Sequence, residues 1–172
     1  MSDFPSDSFL VRPAARGDLG ELLAMIRELA EFEHLLDQVT ATEEDLAAFF
    51  FGERPAAEAL VAEAVGPGGS GLVGYAVFFS SFSTFLGRAG VWLEDIYVRP
   101  PHRRKGCGQA LLKAVGAIAK ERGAGRYEWT VLDWNENAIA LYRRMGAQVL
   151  PEWRIVRMDR RGLGQLDQLD QA

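Results

Sequence analysis

The chain has 172 residues, with a single cysteine, Cys107, and two histidines, His34 and His102. A disulfide within the chain needs a second thiol, and a multi-cysteine zinc site needs several, so both are excluded and no metal centre is expected. No apolar run approaches the roughly 20 residues that cross a bilayer, so no membrane role is expected. Residues 1–8 lack the basic and apolar regions of a secretory signal and read as a flexible leader, which points to a cytoplasmic protein. Positive charge is also scarce. Lys and Arg total 19 against 24 Asp and Glu, a net charge of −5. Sequence-independent nucleic-acid binding relies on basic surface to displace counterions, so nucleic acid is not an expected partner. A small cationic ligand suits this balance better.

What is present belongs to a globular chain: 48% hydrophobic and 25% charged residues, at a length that buries a core in one domain. Residues 9–12 read as a short strand stopped by Pro13. Asp18 then stands as a helix cap before Leu19, Leu22, Leu23, Ile26, Leu29 and Ala30, which recur at helical spacing and carry the helix toward Leu36. Thr42 precedes Glu43, Glu44 and Asp45, a hydroxyl cap followed by acidic residues at the positive helix end; Gly52 and Pro55 close that helix. Strands are predicted over 59–64, 72–79 and 90–98, with a glycine-rich turn at 66–71 and an irregular connection at 80–88. An amphipathic helix is predicted over 108–122, a β-rich run over 127–132, a helix over 136–145 and a last strand or hairpin over 149–159. The order β-α-α-β-β-β-α-β-α-β indicates an α/β fold with one mixed, mostly antiparallel sheet flanked by helices, a single domain over 9–160 and a mobile tail over 161–172.

The segment Trp92-Leu-Glu-Asp-Ile-Tyr-Val98 leads into Arg99-Pro-Pro-His-Arg-Arg-Lys-Gly-Cys-Gly108 and then a helix. Glycine lets backbone approach a bound group, and the first amides of a helix point outward without intrahelical acceptors. Arg103, Arg104 and Lys105 beside those donors form a cradle for phosphate or pyrophosphate; the plainer alternative is a solvated basic turn. A Walker loop is absent, and the dinucleotide fingerprint fails where its third glycine falls on Leu111.

Arg-x-x-Gly-x-Gly from Arg103 to Gly108 resembles the acetyl-CoA pyrophosphate loop of the GNAT N-acetyltransferases. Asn135-Glu-Asn-Ala-Ile-Ala-Leu-Tyr-Arg-Arg-Met-Gly-Ala147 resembles the stretch of that family in which an asparagine opens a helix and a tyrosine approaches the CoA sulfur. Residues 28–33, 51–53, Leu93-Glu-Asp95 and Glu152-Trp153 are similar to the diamine branch, which acts on spermidine, spermine and thialysine. The resemblance implies acetyl-CoA as cosubstrate and a small primary amine as acceptor, acetylated by direct attack on the thioester. It places Ile96, Tyr97, Val98, Arg103, Arg104, Lys105, Gly106, Cys107, Gly108, Asn135 and Tyr142 at the cosubstrate, and Glu33, Glu94, Asp95, Glu152 and Trp153 around the amine. It also implies a homodimer paired through the C-terminal strands.

In that frame Glu94 is the candidate general base, acting through water; alternatively Glu94 and Asp95 hold the cation by charge alone. Tyr142, a phenol protonated at neutral pH, is the candidate acid for the leaving thiolate, or else an ordinary core aromatic. Cys107 is a loop residue rather than a nucleophile, since no histidine lies near it in sequence. Two departures bear on the substrate. Ser80-Ser-Phe-Ser-Thr-Phe85 lacks the acidic residue that polyamine enzymes carry before the fourth strand, and Phe32 replaces their tyrosine. Both leave thialysine-like amines open. Acetylation of a protein N-terminus or lysine, and a non-catalytic acetyl-CoA-binding module, are the competing functions.

Overall fold

The computed structural model describes residues 8–65 and 71–166. Residues 1–7 of the expected leader, 66–70 of the glycine-rich turn and 167–172 of the expected tail lie outside them. The chain divides into two compact units, Met1–Thr130 and Val131–Ala172.

The first unit contains β1 (Ser8–Pro13), α1 (Leu19–Phe32), α2 (Glu43–Phe51), β2 (Glu58–Val65), β3 (Leu72–Ser83), β4 (Arg88–Val98), α3 (Cys107–Glu121) and β5 (Tyr127–Trp129). Its sheet has five strands in chain order; successive neighbours from β1 to β4 are antiparallel, and β5 runs parallel to β4. This is the mixed, mostly antiparallel sheet expected from the sequence. One face packs on α1, where Leu22 and Met25 meet Ala59, Val61, Leu72, Tyr75, Val77 and Tyr97. Each fully buried aliphatic side chain of this kind contributes roughly 1.5–3 kcal/mol by leaving water. The other face packs on α3 through Leu111, Leu112 and Val115. Gly74 permits that approach: a Cβ there would lie 2.7 Å from the Tyr97 carbonyl oxygen and 3.4 Å from Leu111 Cδ1.

Several local expectations are corrected. Asp18 makes no side-chain cap on α1. Its carboxylate instead accepts from Arg12 at 2.7 and 3.0 Å and from the Ala15 amide at 2.7 Å, closing the turn that precedes the helix. The helix ends at Phe32 rather than near Leu36, because the chain reverses at His34 with φ of 60°. The connection at 80–88 is a continuous hairpin, since β3 extends to Ser83 and β4 begins at Arg88. Thr42 caps α2 as expected: its hydroxyl accepts from the Asp45 amide while the Asp45 carboxylate accepts from the Thr42 amide.

In the second unit, α4 (Glu136–Arg144) opens on Asn135, whose Oδ1 accepts from the Ala138 amide at 3.3 Å. The strand or hairpin expected over 149–159 is not formed; those residues have no regular structure and are followed by the short α5 (Arg160–Leu163). Valine, tryptophan and isoleucine favour extended backbone, but a strand also needs a neighbour to accept its amides. The described residues of this unit contain no strand.

Candidate active site

The site is set by an irregularity in β4. Phe78 pairs with Leu93 and Val77 pairs with Asp95, so Glu94 is an extra residue on β4, a β-bulge. In a regular ladder Leu93 and Asp95 would share a face. Here Leu93 follows Phe78 toward α3, while Asp95 joins Val77, Tyr75 and Tyr97 on the face that carries α1. β5 pairs with β4 only from Val91 to Leu93. Beyond that point, over 94–98 and thus at Ile96, Tyr97 and Val98, β4 has no strand neighbour on its β5 side among the described residues. Backbone donors on such an edge are available to a ligand.

Three carboxylates converge here. Glu94 is exposed and accepts from the Trp92 indole nitrogen at 3.0 Å. Burial pushes the Asp95 carboxyl up to about 6, and the charges of Glu94 and Glu33 add to the effect. Glu33, the C-terminal cap of α1, is half-buried and also titrates above the usual carboxylate range because it is desolvated. A negatively charged, partly dry cluster of this kind attracts a cation and favours transfer of a proton from it.

Next to the cluster, an open cleft is lined by Glu28, Glu31, Phe32, Tyr97, Pro100 and Arg103. Arg103 is turned into it: Nε donates to the Val98 carbonyl oxygen at 2.8 Å, and the guanidinium lies 5.1 Å from the Phe32 ring centre and 5.4 Å from that of Tyr97. Of the three cations expected at the anion cradle, this one fastens the loop to β4 and α1. Arg104 and Lys105 are exposed on the loop, and Arg104 adopts φ of 61°. Gly106 caps α3 with φ of 88°, and a Cβ there would meet nothing within 4 Å. The loop thus presents open backbone at the positive end of a 15-residue helix beginning with Cys107 and Gly108. That arrangement fits a pyrophosphate. The Cys107 side chain is 1% exposed and burial pushes its thiol up to about 11, so it is protonated and shielded at neutral pH.

The second unit carries the remaining predicted residues. Asn135 caps α4 and Tyr142 is buried, whereas Glu152 and Trp153 are exposed on the irregular segment. Two residues of the first unit escaped the sequence reading. Arg99 binds Glu28 at 3.1 Å and the Leu72 carbonyl at 2.7 Å, which anchors the end of β4 to α1 and β3. Tyr75 lies beneath Asp95, and strand alternation alone gives no sign of that contact because it depends on the bulge. Among the described residues, no group of three His, Cys, Asp or Glu could hold a metal ion, and no helix is long and apolar enough to cross a membrane.

Residues 19–147 match the family model described as Acetyltransferase (GNAT) family. A pig protein named thialysine N-epsilon-acetyltransferase is 46% identical over 149 residues, which cover 84% of this chain and 87% of the relative. An Arabidopsis thaliana L-ornithine N5-acetyltransferase is 46% identical over 99 residues, 58% of this chain and 43% of that protein. Among solved structures, an integron cassette protein from the mobile metagenome of V. cholerae superposes with a TM-score of 0.75 at 24% identity, covering 93% of this chain and 98% of that one, a likeness of fold. With the bulged fourth strand leading into a glycine-bearing loop and helix, these matches establish that the chain belongs to the GNAT acetyltransferase family and is an N-acetyltransferase.

Proposed function

We propose that the chain transfers an acetyl group from acetyl-CoA to a primary amine of a small cationic molecule, of the thialysine or diamine type, as the catalytic activity of a single domain spanning residues 9–160. The observation that carries this reading is the convergence of Glu33, Glu94 and Asp95 on a partly buried patch beside the open edge of β4. The names of the pig and Arabidopsis relatives, for thialysine and L-ornithine, support the substrate class. Acetyl-CoA supplies the acetyl group as a thioester. The amides of Gly106, Cys107 and Gly108 with Arg104 and Lys105 hold its pyrophosphate, and Arg103 fixes the loop that carries them. The backbone of Ile96, Tyr97 and Val98 receives the pantetheine arm, with Asn135 and Tyr142 as further contacts.

Asp95 and Glu33 anchor the ammonium, and Glu152 and Trp153 are the candidates of the second unit for binding the amine. Exposed Glu94, steadied by Trp92, accepts the proton through water, leaving a neutral nucleophile. Tyr142 returns a proton to the departing thiolate. A homodimer in the cytoplasm completes the proposal; a single reduced cysteine suits that compartment.

The test is thiol release from acetyl-CoA with thialysine, ornithine, lysine, putrescine, spermidine, spermine and a lysine peptide. Turnover concentrated on a small amino acid or diamine supports the reading. Turnover on the peptide alone overturns the substrate class. Sedimentation at micromolar concentration checks the dimer, which a monomer mass would refute.

A further inference from the structure

Tyr75 is fully buried, at 0% exposure. On β3 it sits directly opposite Tyr97, one pair along from Val77 and Asp95, and its ring lies 6.3 Å from that of Tyr97. Its phenol and the Asp95 carboxyl therefore share one face of the sheet. The packing around Tyr75 is otherwise apolar, with Leu22, Met25, Ala59, Val61, Leu72 and Val77 in the same cluster. Phenylalanine would fill the same space, yet a hydroxyl is present, and it is buried without a hydrogen bond of regular geometry. The Asp95 carboxyl is nevertheless near enough for the two groups to shift each other's titration. A buried hydroxyl left without an acceptor is unfavourable, so its presence beside a carboxyl that changes charge calls for a role.

The groups facing Asp95 define that role. Glu94 on β4 and Glu33 at the end of α1 act on it, while Glu28 of α1 and Arg103 of the loop after β4 act on the neighbouring Tyr97. Glu94 and Glu33 oppose ionisation of Asp95. The guanidinium of Arg103 is held by the Val98 carbonyl and by two aromatic rings. Tyr75 is the neighbour that favours the charged carboxylate.

We infer that Tyr75 is a positioning residue: its hydroxyl donates to Asp95 when that carboxylate is ionised to receive the substrate ammonium, fixing the direction of the carboxylate and steadying its charge. The inference rests on the reading above, in which Asp95 holds the amine. Charge-assisted hydrogen bonds are shorter and stronger than neutral ones, so the pull of the carboxylate on the hydroxyl grows as the charge appears.

Tyr75→Phe tests this, since it keeps the ring and removes only the hydroxyl. One measurement needs no substrate: carbon-13 NMR titration of the Asp95 carboxyl, assigned with Asp95→Asn. The midpoint, near 6 in the unaltered protein, is expected to rise in Tyr75→Phe by about half a unit or more. The second is kcat/KM for thialysine against pH. The variant is expected to lose roughly twofold to fivefold at pH 6 and to recover almost fully at pH 8.5, with the loss in amine KM and none in acetyl-CoA KM. An unchanged Asp95 titration, or an equal fractional loss at every pH, overturns the inference. Inactivity of the unaltered enzyme on every amine removes the substrate reading, and the NMR titration then still decides the role of Tyr75.

Discussion

Val77 faces Asp95 across the β3–β4 ladder, one residue later on β4 than regular register allows. After the pair Phe78 and Leu93, an unbroken antiparallel ladder would bring Glu94 opposite Val77. Side chains alternate between faces with a period of two, so one inserted residue reverses every position beyond it. The bulge thereby turns Asp95 onto the α1 face, beside Tyr75 and Tyr97, and leaves Glu94 exposed at the edge.

Asp95→Asn should separate binding from stability. Loss of one member of a partly dry charge pair is expected to lower kcat/KM for the amine by about 10²-fold, with acetyl-CoA KM unchanged. The folded-state value, about 6 against an ordinary 3.8, is raised, so the native state holds this proton more tightly than the unfolded chain. Its contribution to stability is full below pH 3.8 and is lost as pH rises through about 6. Urea unfolding across that window should show the unaltered protein losing stability relative to the variant, by roughly 3 kcal/mol at most.

Tyr142→Phe should lower kcat by about 10²-fold, a usual size for loss of a general acid, while calorimetry shows nearly unchanged affinity for CoA. Unchanged turnover would reduce Tyr142 to a packing residue of the second unit.

Arg103→Lys keeps the charge but loses the planar fork that reaches the Val98 carbonyl and stacks on Phe32 and Tyr97. Acetyl-CoA KM is expected to rise by about fivefold to tenfold, close to the effect of Arg103→Gln, because the loop loses its fastening. Full rescue by lysine would show that only charge matters there.

Cys107→Ala should leave turnover within about twofold, and iodoacetamide should modify the native protein slowly at pH 7. The thiol is buried and pushed up to about 11, so very little thiolate is available. Loss of activity beyond tenfold in a folded variant would reopen the nucleophile role.

The sequence was informative wherever the information is local. Leu19, Leu22 and Leu23 mark a helix by spacing, Thr42 and Asp45 mark its successor by capping chemistry, and Arg103 to Gly108 mark the loop because open backbone before a helix requires glycine at Gly106. The same local signals misled at Asp18, whose carboxylate is claimed by Arg12 from another element, and over 149–159, where extended propensity lacks a neighbouring strand in its own unit.

By itself, then, the sequence determined most of the elements, the glycine-bearing loop before α3 and the family, because helical and strand periods, caps and glycine positions are written in consecutive residues. Only the tertiary structure decided which carboxylate lies on the α1 face, that Arg103 braces the loop, and that Tyr75 lies against Asp95. Those relationships depend on the pairing of β3 with β4, and a bulge shifts that pairing without changing the composition of either strand.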